Sequence, residues 1–281
     1  MNIADGDIGT DESGEQLIAE QGVQKRAEQW ISPQWDAPAN VRAIITTRHS
    51  PEGESSSVPP YDSFNLALHV DDAESAVLAN RQCLQSALKV EHRPQWLEQI
   101  HSTKIVEAKS DDLVRTADAS HTKTPGLPCV VMTADCLPIL LCDSEGTQVA
   151  AVHAGWRGLA KGIVRDTVKQ FSAPAHQLVA YLGPAIGQDH FEVGIDVLEG
   201  FYGNALSPAH CEVISSAFRP STIHPMKFNA DLYQLARAEL EQLGVTSISG
   251  GDFCTVEDSQ RFYSYRRDGQ TGRMASLIYL T

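Results

Sequence analysis

Long apolar runs are missing from this 281-residue chain. None approaches the ~18 residues that a membrane-spanning helix needs, so a spanning segment is not expected. Basic residues are also few, with 22 Lys and Arg against 36 Asp and Glu and a formal net charge of -14. Neutralising a phosphate backbone takes clustered Lys and Arg, so nucleic acid is not an expected partner. A small anionic substrate is not excluded, because an acidic protein can still carry a local basic pocket. The opening residues have neither a basic n-region nor an apolar h-region, so the expected location is cytoplasmic. The six cysteines (83, 129, 136, 142, 211 and 254) are scattered and mostly embedded in apolar runs. That spacing speaks against a disulfide framework and for reduced thiols. Neither an internal repeat nor a domain linker is visible.

What is present is a globular composition, 42% hydrophobic and 21% charged, in a chain long enough to bury a substantial core. Residues 1–38 are polar and acidic and read as a flexible extension, with a short helix around 15–30. Residues 39–281 mix strands and helices throughout. The expected fold class is therefore α/β (mixed α+β), a single domain built on a mixed β-sheet.

The stretch from Pro128 to Gly158 organises that domain. Cys129–Met132 and Leu137–Leu141 read as buried strands, separated by Thr133-Ala134-Asp135-Cys136. A third strand, 149–152, runs into His153-Ala154-Gly155-Trp156-Arg157-Gly158. Upstream, the strand-like run 96–101 ends in His101. A lone histidine is ordinarily a surface or core residue, and a buried cysteine is ordinarily inert filler. Cys136 differs by its kink between strands, and His153 by the small residues that leave space beside it. One Cys and two His at three strand ends have the donor set of a catalytic metal site with one open position, or of a nucleophile and base.

Elsewhere, 63–70 reads as a strand containing Asn65. Asp71 reads as the N-cap of a helix, with Glu74 in capping-box spacing. On that helix Arg81 shares an apolar stripe with Val77, Leu84 and Leu88. An inward guanidinium needs an anion, either a structural carboxylate or a bound ligand. Residues 159–171 and 191–202 read as helices. A strand over 177–182 leads into Gly183-Pro184-Ala185-Ile186-Gly187, and a strong helix carrying Arg237 ends at Gly244. Residues 262–265 and 274–280 read as a hairpin around Arg266, Arg267 and Arg273.

Gln99-Ile100-His101-Ser102, Ala134-Asp135-Cys136 and His153-Ala154-Gly155-Trp156-Arg157-Gly158 together resemble the signature of the laccase-domain family. This family is also called the YfiH or multicopper polyphenol oxidoreductase family, and is described as purine nucleoside phosphorylases. Asn65-Leu66, Asn80-Arg81, Gly183 to Gly187, Cys254-Thr255 and Ser264 to Gly269 extend the resemblance over roughly residues 40–281. The chain departs from the family after Arg48, where His49-Ser50-Pro51 and a serine-rich insert replace a glycine-rich turn.

The resemblance implies a mixed β-sheet sandwich flanked by helices, similar to the catalytic fold of cytotoxic necrotizing factors. It implies one Zn2+ ion on His101, Cys136 and His153, and phosphorolysis of adenosine, inosine, guanosine and 5′-methylthioadenosine. Adenosine deamination is a further implied activity. Purine nucleosides and phosphate are then the partners. Beside the resemblance, the residues' own chemistry offers Arg81 as phosphate clamp and Asn65 and Arg237 as substrate contacts. The roles of Asp135 and of the arginines at 266, 267 and 273 stay open at this point. Copper and phenol oxidation fit less well, because one Cys and two His do not make a several-copper array. Two other readings stand beside these. In one, Cys136 and His153 form a cysteine hydrolase acting on an amide bond such as that of a peptidoglycan precursor. In the other, a zinc staple is completed by a fourth ligand such as His69 or Cys254.

Overall fold

The computed structural model describes residues 30–51 and 56–281. In chain order the first strands are β1 (Val41–Ile45), β2 (Leu97–Glu98), β3 (Ile105–Glu107), β4 (Arg115–Thr116), β5 (Ala119–Thr122), β6 (Cys129–Thr133) and β7 (Leu137–Asp143). They are followed by β8 (Val149–Ala154), β9 (Leu178–Leu182), β10 (Glu192–Val193), β11 (Phe218–Pro220), β12 (Phe228–Ala230), β13 (Ser247–Gly250) and β14 (Met274–Leu280). The helices are α1 (Glu74–Leu88), α2 (Trp156–Ala160), α3 (Ile163–Val168), α4 (Ile195–Tyr202), α5 (Pro208–Ser216), α6 (Leu232–Gln242) and α7 (Tyr265–Asp268).

A six-stranded mixed sheet, β13-β9-β7-β8-β5-β3, packs on a three-stranded antiparallel sheet, β1-β14-β6. Side-chain alternation along β7 shows why its run is apolar throughout. Leu137, Ile139 and Leu141 join the core under the helices, while Leu140 and Cys142 join the core between the sheets. With both faces covered, every residue of β6, β7 and β8 is buried. The outer face of the small sheet, with Val130, Met132 and Leu277, is closed by Leu84 and Leu88 of α1. The result is four layers, α1, small sheet, large sheet, and the helices that follow β8. A mixed α/β fold in one domain was the sequence expectation, and the layers agree with it.

Several local expectations are corrected. Residues 63–70 form turns, because the Asn65 amide bonds both the N–H and the C=O of Ala67 and gives the backbone an alternative to a ladder. Helix α1 is capped at Ala73 without a side-chain bond. Asp71 takes a left-handed φ of 65°, and Asp72 instead accepts from Ser57 and Asn65. The 159–171 helix is two helices broken at Gly162, and 191–202 begins as β10. There is no terminal hairpin. Residues 265–268 form α7, and β14 pairs antiparallel with β1 and β6.

The boundary of the extension also moves. Ile31 pairs with Ile45, and the rings of Trp30 and Trp35 pack on Phe64 and Tyr181, so residues 30–38 belong to the domain. The rest of the extension, with its expected helix, lies outside the described residues. No helix among the described residues is long and apolar enough to cross a membrane.

Candidate metal centre and cavity

Three chain segments meet where β7 and β8 leave the large sheet. Cys136 precedes β7, held by Asp135 at a φ of 92°. Both carboxylate oxygens of Asp135 are used inside the fold, one by Thr255 Oγ1 at 2.6 Å and one by the Arg266 N–H at 2.6 Å. That leaves Asp135 as a brace for the loop rather than a proton shuttle. His153 lies at the end of β8, only 3% exposed. His101, exposed and at a φ of 58°, follows β2 and sets its ring edge-on to His153 with centroids 4.8 Å apart. The three donor atoms, one from each residue, lie within 4.8 Å of one another.

One carboxylate missed by the sequence reading organises this cluster. Asp118 is fully buried and accepts from His153 Nδ1 at 2.9 Å. It also accepts from the backbone N–H groups of His101 at 2.9 Å and Ser102 at 2.6 Å, and from Ser102 Oγ at 2.7 Å. Burial would raise its carboxyl pKa, but the bonds from His153 and Ser102 hold it down at about 2. An ionised Asp118 keeps the proton on His153 Nδ1 and leaves Nε2 for a ligand, the usual orientation of a metal-binding histidine. Its only sequence trace is a lone acid between two alanines.

The electrostatics of Cys136 and His153 are reciprocal. Burial alone would raise the thiol, yet His153 and His101 pull it down to about 6. Burial alone would lower the imidazole, yet Cys136 and Asp118 raise it to about 9. The donor set suits a borderline-soft divalent cation. Ligand atoms on a tetrahedral zinc sit ~3.6 Å apart for an S–N pair, and His101 Nε2 lies 3.8 Å from Cys136 Sγ. Gly155 permits this approach, since a Cβ there would stand 3.0 Å from both Cys136 Sγ and His101 Cδ2. Neither residue considered as a fourth ligand joins the cluster among the described residues. His69 lines the adjoining cavity, and Cys254 lies with His190 and Glu257.

The cluster opens into a cavity of about 470 Å³, a size that suits a small molecule. Trp156, Phe191 and Tyr265 line it, together with Arg157, Arg266 and Arg273. Arg273 Nη1 donates to the carbonyls of Thr271 and Gly272, fixing the side chain over the cavity.

The other expected substrate residues are placed elsewhere. Arg81 lines a neighbouring cleft, stacks 3.7 Å over the Trp96 ring and donates Nε–H to the Leu66 carbonyl at 2.8 Å. Burial lowers its pKa to about 10. Asn65 is fully buried, with its amide given to Ala67, Asp72 and the Arg273 N–H. Arg237 donates to the carbonyls of Ile248 and Gly250. Of the residues singled out in the sequence, the structure brings His101, Cys136 and His153 together, places Arg81 in the neighbouring cleft and engages Asn65 and Arg237 in hydrogen bonds within the fold.

This four-layer fold with its His–Cys–His cluster belongs to a known family. The model of the multi-copper polyphenol oxidoreductase laccase family matches residues 42–281, and the chain is a member. A Pseudomonas aeruginosa protein named a purine nucleoside phosphorylase is 50% identical over 251 residues, covering 89% of this chain and 98% of its own. An Escherichia coli relative, purine nucleoside phosphorylase YfiH, is 45% identical over 89% of this chain and 98% of its own. A Neisseria meningitidis crystal structure titled as a DUF152 family member superposes with a TM-score of 0.82 at 46% identity. It covers 90% of this chain and 99% of that one.

Proposed function

We propose that this chain is a zinc-dependent purine nucleoside phosphorylase acting on adenosine, inosine, guanosine or 5′-methylthioadenosine. The observation that carries the reading is a cavity of about 470 Å³ with a three-donor cluster, three aromatic residues and three arginines (Arg157, Arg266 and Arg273) on its walls. The names of relatives up to 50% identical support it.

Phosphorolysis breaks the N9–C1′ bond and joins C1′ to a phosphate oxygen. The electron pair of the broken bond leaves with the purine, which takes up a proton. Arg273, fixed by two carbonyls, is the cation we assign to phosphate, with Arg266 beside it at the rim. Trp156, Phe191 and Tyr265 supply apolar faces for the base. Asp118 holds His153 in one tautomer, and Gly155 keeps Cys136 and His101 in reach of each other. Zinc on His101, Cys136 and His153 would supply a Lewis acid for the charge that develops in the reaction. Arg81, Asn65 and Arg237 keep structural roles.

The depressed thiol of Cys136 beside the raised imidazole of His153 favours a second reading, a cysteine hydrolase of amide bonds. One assay separates the two. Hypoxanthine release from inosine is followed with and without phosphate, in zinc-loaded and chelator-treated protein. Phosphorolysis needs both phosphate and zinc, and returns when zinc is restored. Amide hydrolysis that survives chelation and is abolished by Cys136→Ala would replace this proposal with the hydrolase. Deamination of adenosine would show as inosine formed without phosphate.

A further inference from the structure

A second group of metal-type donors lies outside the cluster described above. His190 and Glu257 meet through Nε2 and Oε1 at 3.0 Å, and Cys254 completes a trio whose ligand atoms are all within 4.8 Å of one another. Two tight turns pin the group. His190 ends a turn closed by its own N–H to the Gly187 carbonyl, and Cys254 begins one closed by the Asp258 N–H to its carbonyl. A β-bridge between Ala185 and Cys254 ties the turns together.

The sulfur of Cys254 has a backbone partner and a close glycine neighbour. The Gly187 N–H donates to Cys254 Sγ at 3.3 Å, and a Cβ at Gly187 would stand 3.1 Å from that sulfur. Gly155 stands in the same relation to Cys136 Sγ, at 3.0 Å. In both places a glycine keeps a loop sulfur open to the approach of a histidine.

We propose that His190, Cys254 and Glu257 form a second zinc site, separate from that of His101, Cys136 and His153. A neutral imidazole, a thiolate and a carboxylate give an N, S, O donor set that zinc accepts, and their two negative charges balance the ion. Two N or O ligands on tetrahedral zinc sit ~3.3 Å apart, so the 3.0 Å His190–Glu257 pair admits the ion with a small opening. Cys254 Sγ already lies within 4.8 Å of both of these donors, and water takes the open position. The side chains of His190 and Glu257 are 37% and 63% exposed, so the ion enters from solvent.

The site also touches the first cavity through the backbone. The His190 carbonyl accepts from Arg266 Nη1 at 3.0 Å, and Thr255, next to Cys254, bonds Asp135 beside Cys136. Metal at the second site would cross-link the loop carrying Ile186 and Phe191, both of which line that cavity.

The test counts metal on the full chain. Chelator-treated protein is titrated with Zn2+ and with Co2+, whose thiolate bonds give near-ultraviolet charge-transfer absorption. Two equivalents are expected for the parent, one for Cys254→Ser, one for Cys136→Ser and none for the double variant. Glu257→Gln, on an exposed side chain, should weaken the second equivalent at least tenfold and leave the metal-free melting temperature unchanged. A parent that takes one equivalent retained by Cys254→Ser overturns the proposal and leaves the first centre standing. Two equivalents persisting in both Cys254→Ser and Glu257→Gln also overturn it. One equivalent lost in Cys254→Ser but kept in Cys136→Ser supports the second site and removes the first.

Discussion

Asp118 shows how one side chain can set the geometry of two others. It fixes the His153 ring directly and the His101 loop through backbone N–H groups, while having no exposed surface of its own. Replacing such a supporting carboxylate commonly costs ten- to a hundredfold in metal affinity. Asp118→Asn is expected to lower zinc affinity by about that factor, measured by competition with a chromophoric chelator. Unchanged affinity would limit Asp118 to a structural part. Arg81 makes the opposite point. The stripe with Val77, Leu84 and Leu88 correctly turns it inward, but a ring face and a carbonyl meet the guanidinium where an anion was expected. Arg81→Met loses a cation–π contact and a charged hydrogen bond, together about 2–5 kcal/mol. We expect a lower melting temperature with kcat/KM for phosphorolysis within a few-fold of the parent. A raised KM for phosphate at unchanged stability would return Arg81 to the substrate.

Elements built from covered strands were the most legible in the sequence. β6, β7 and β8 are buried on both faces, so their apolar runs are continuous and have few other readings. Residues 63–70 carry a similar apolar character, yet the Asn65 amide captures the backbone of Ala67, a competition that periodicity does not record. The supposed terminal hairpin failed for another reason. β14 takes partners more than a hundred residues away, Ile278 pairing with both Ala43 and Cys129, and such pairing leaves no local trace. The metal-type triad was legible because three motifs bring it together, whereas Asp118 has no motif and becomes visible only through its partners. The turn into α2 gives a prediction at this scale. Gly155→Ala places a Cβ 3.0 Å from both Cys136 Sγ and His101 Cδ2, so one or both side chains must shift by a few tenths of an ångström. Zinc content after dialysis should fall well below one equivalent at the first centre, with helix content by circular dichroism unchanged. Full retention would show that the loop absorbs the methyl.

At the scale of the whole molecule, the helical layer carries a feature that links stability to pH. Glu239 on α6 is only 5% exposed, packed near Arg165 of α3, and burial raises its carboxyl to about 7 despite that arginine. An acid with a folded pKa above its unfolded 4.5 binds its proton more tightly in the folded state. It costs nothing while protonated in both states, and it destabilises progressively as pH rises from 4.5 to about 7. Above that the cost is complete, at most about 3 kcal/mol and smaller where water relaxes around the charge. His210 borders the same small cavity, and its own pKa is lowered by burial and by Arg165, so it destabilises the fold in the acid direction. Comparing variant and parent at each pH cancels that contribution. Glu239→Gln keeps the shape and removes the ionisation. It should match the parent near pH 4.5 and unfold about 3–8 °C higher at pH 8. A constant difference across that range would mean that Glu239 is ionised at both ends and that Arg165 outweighs its burial.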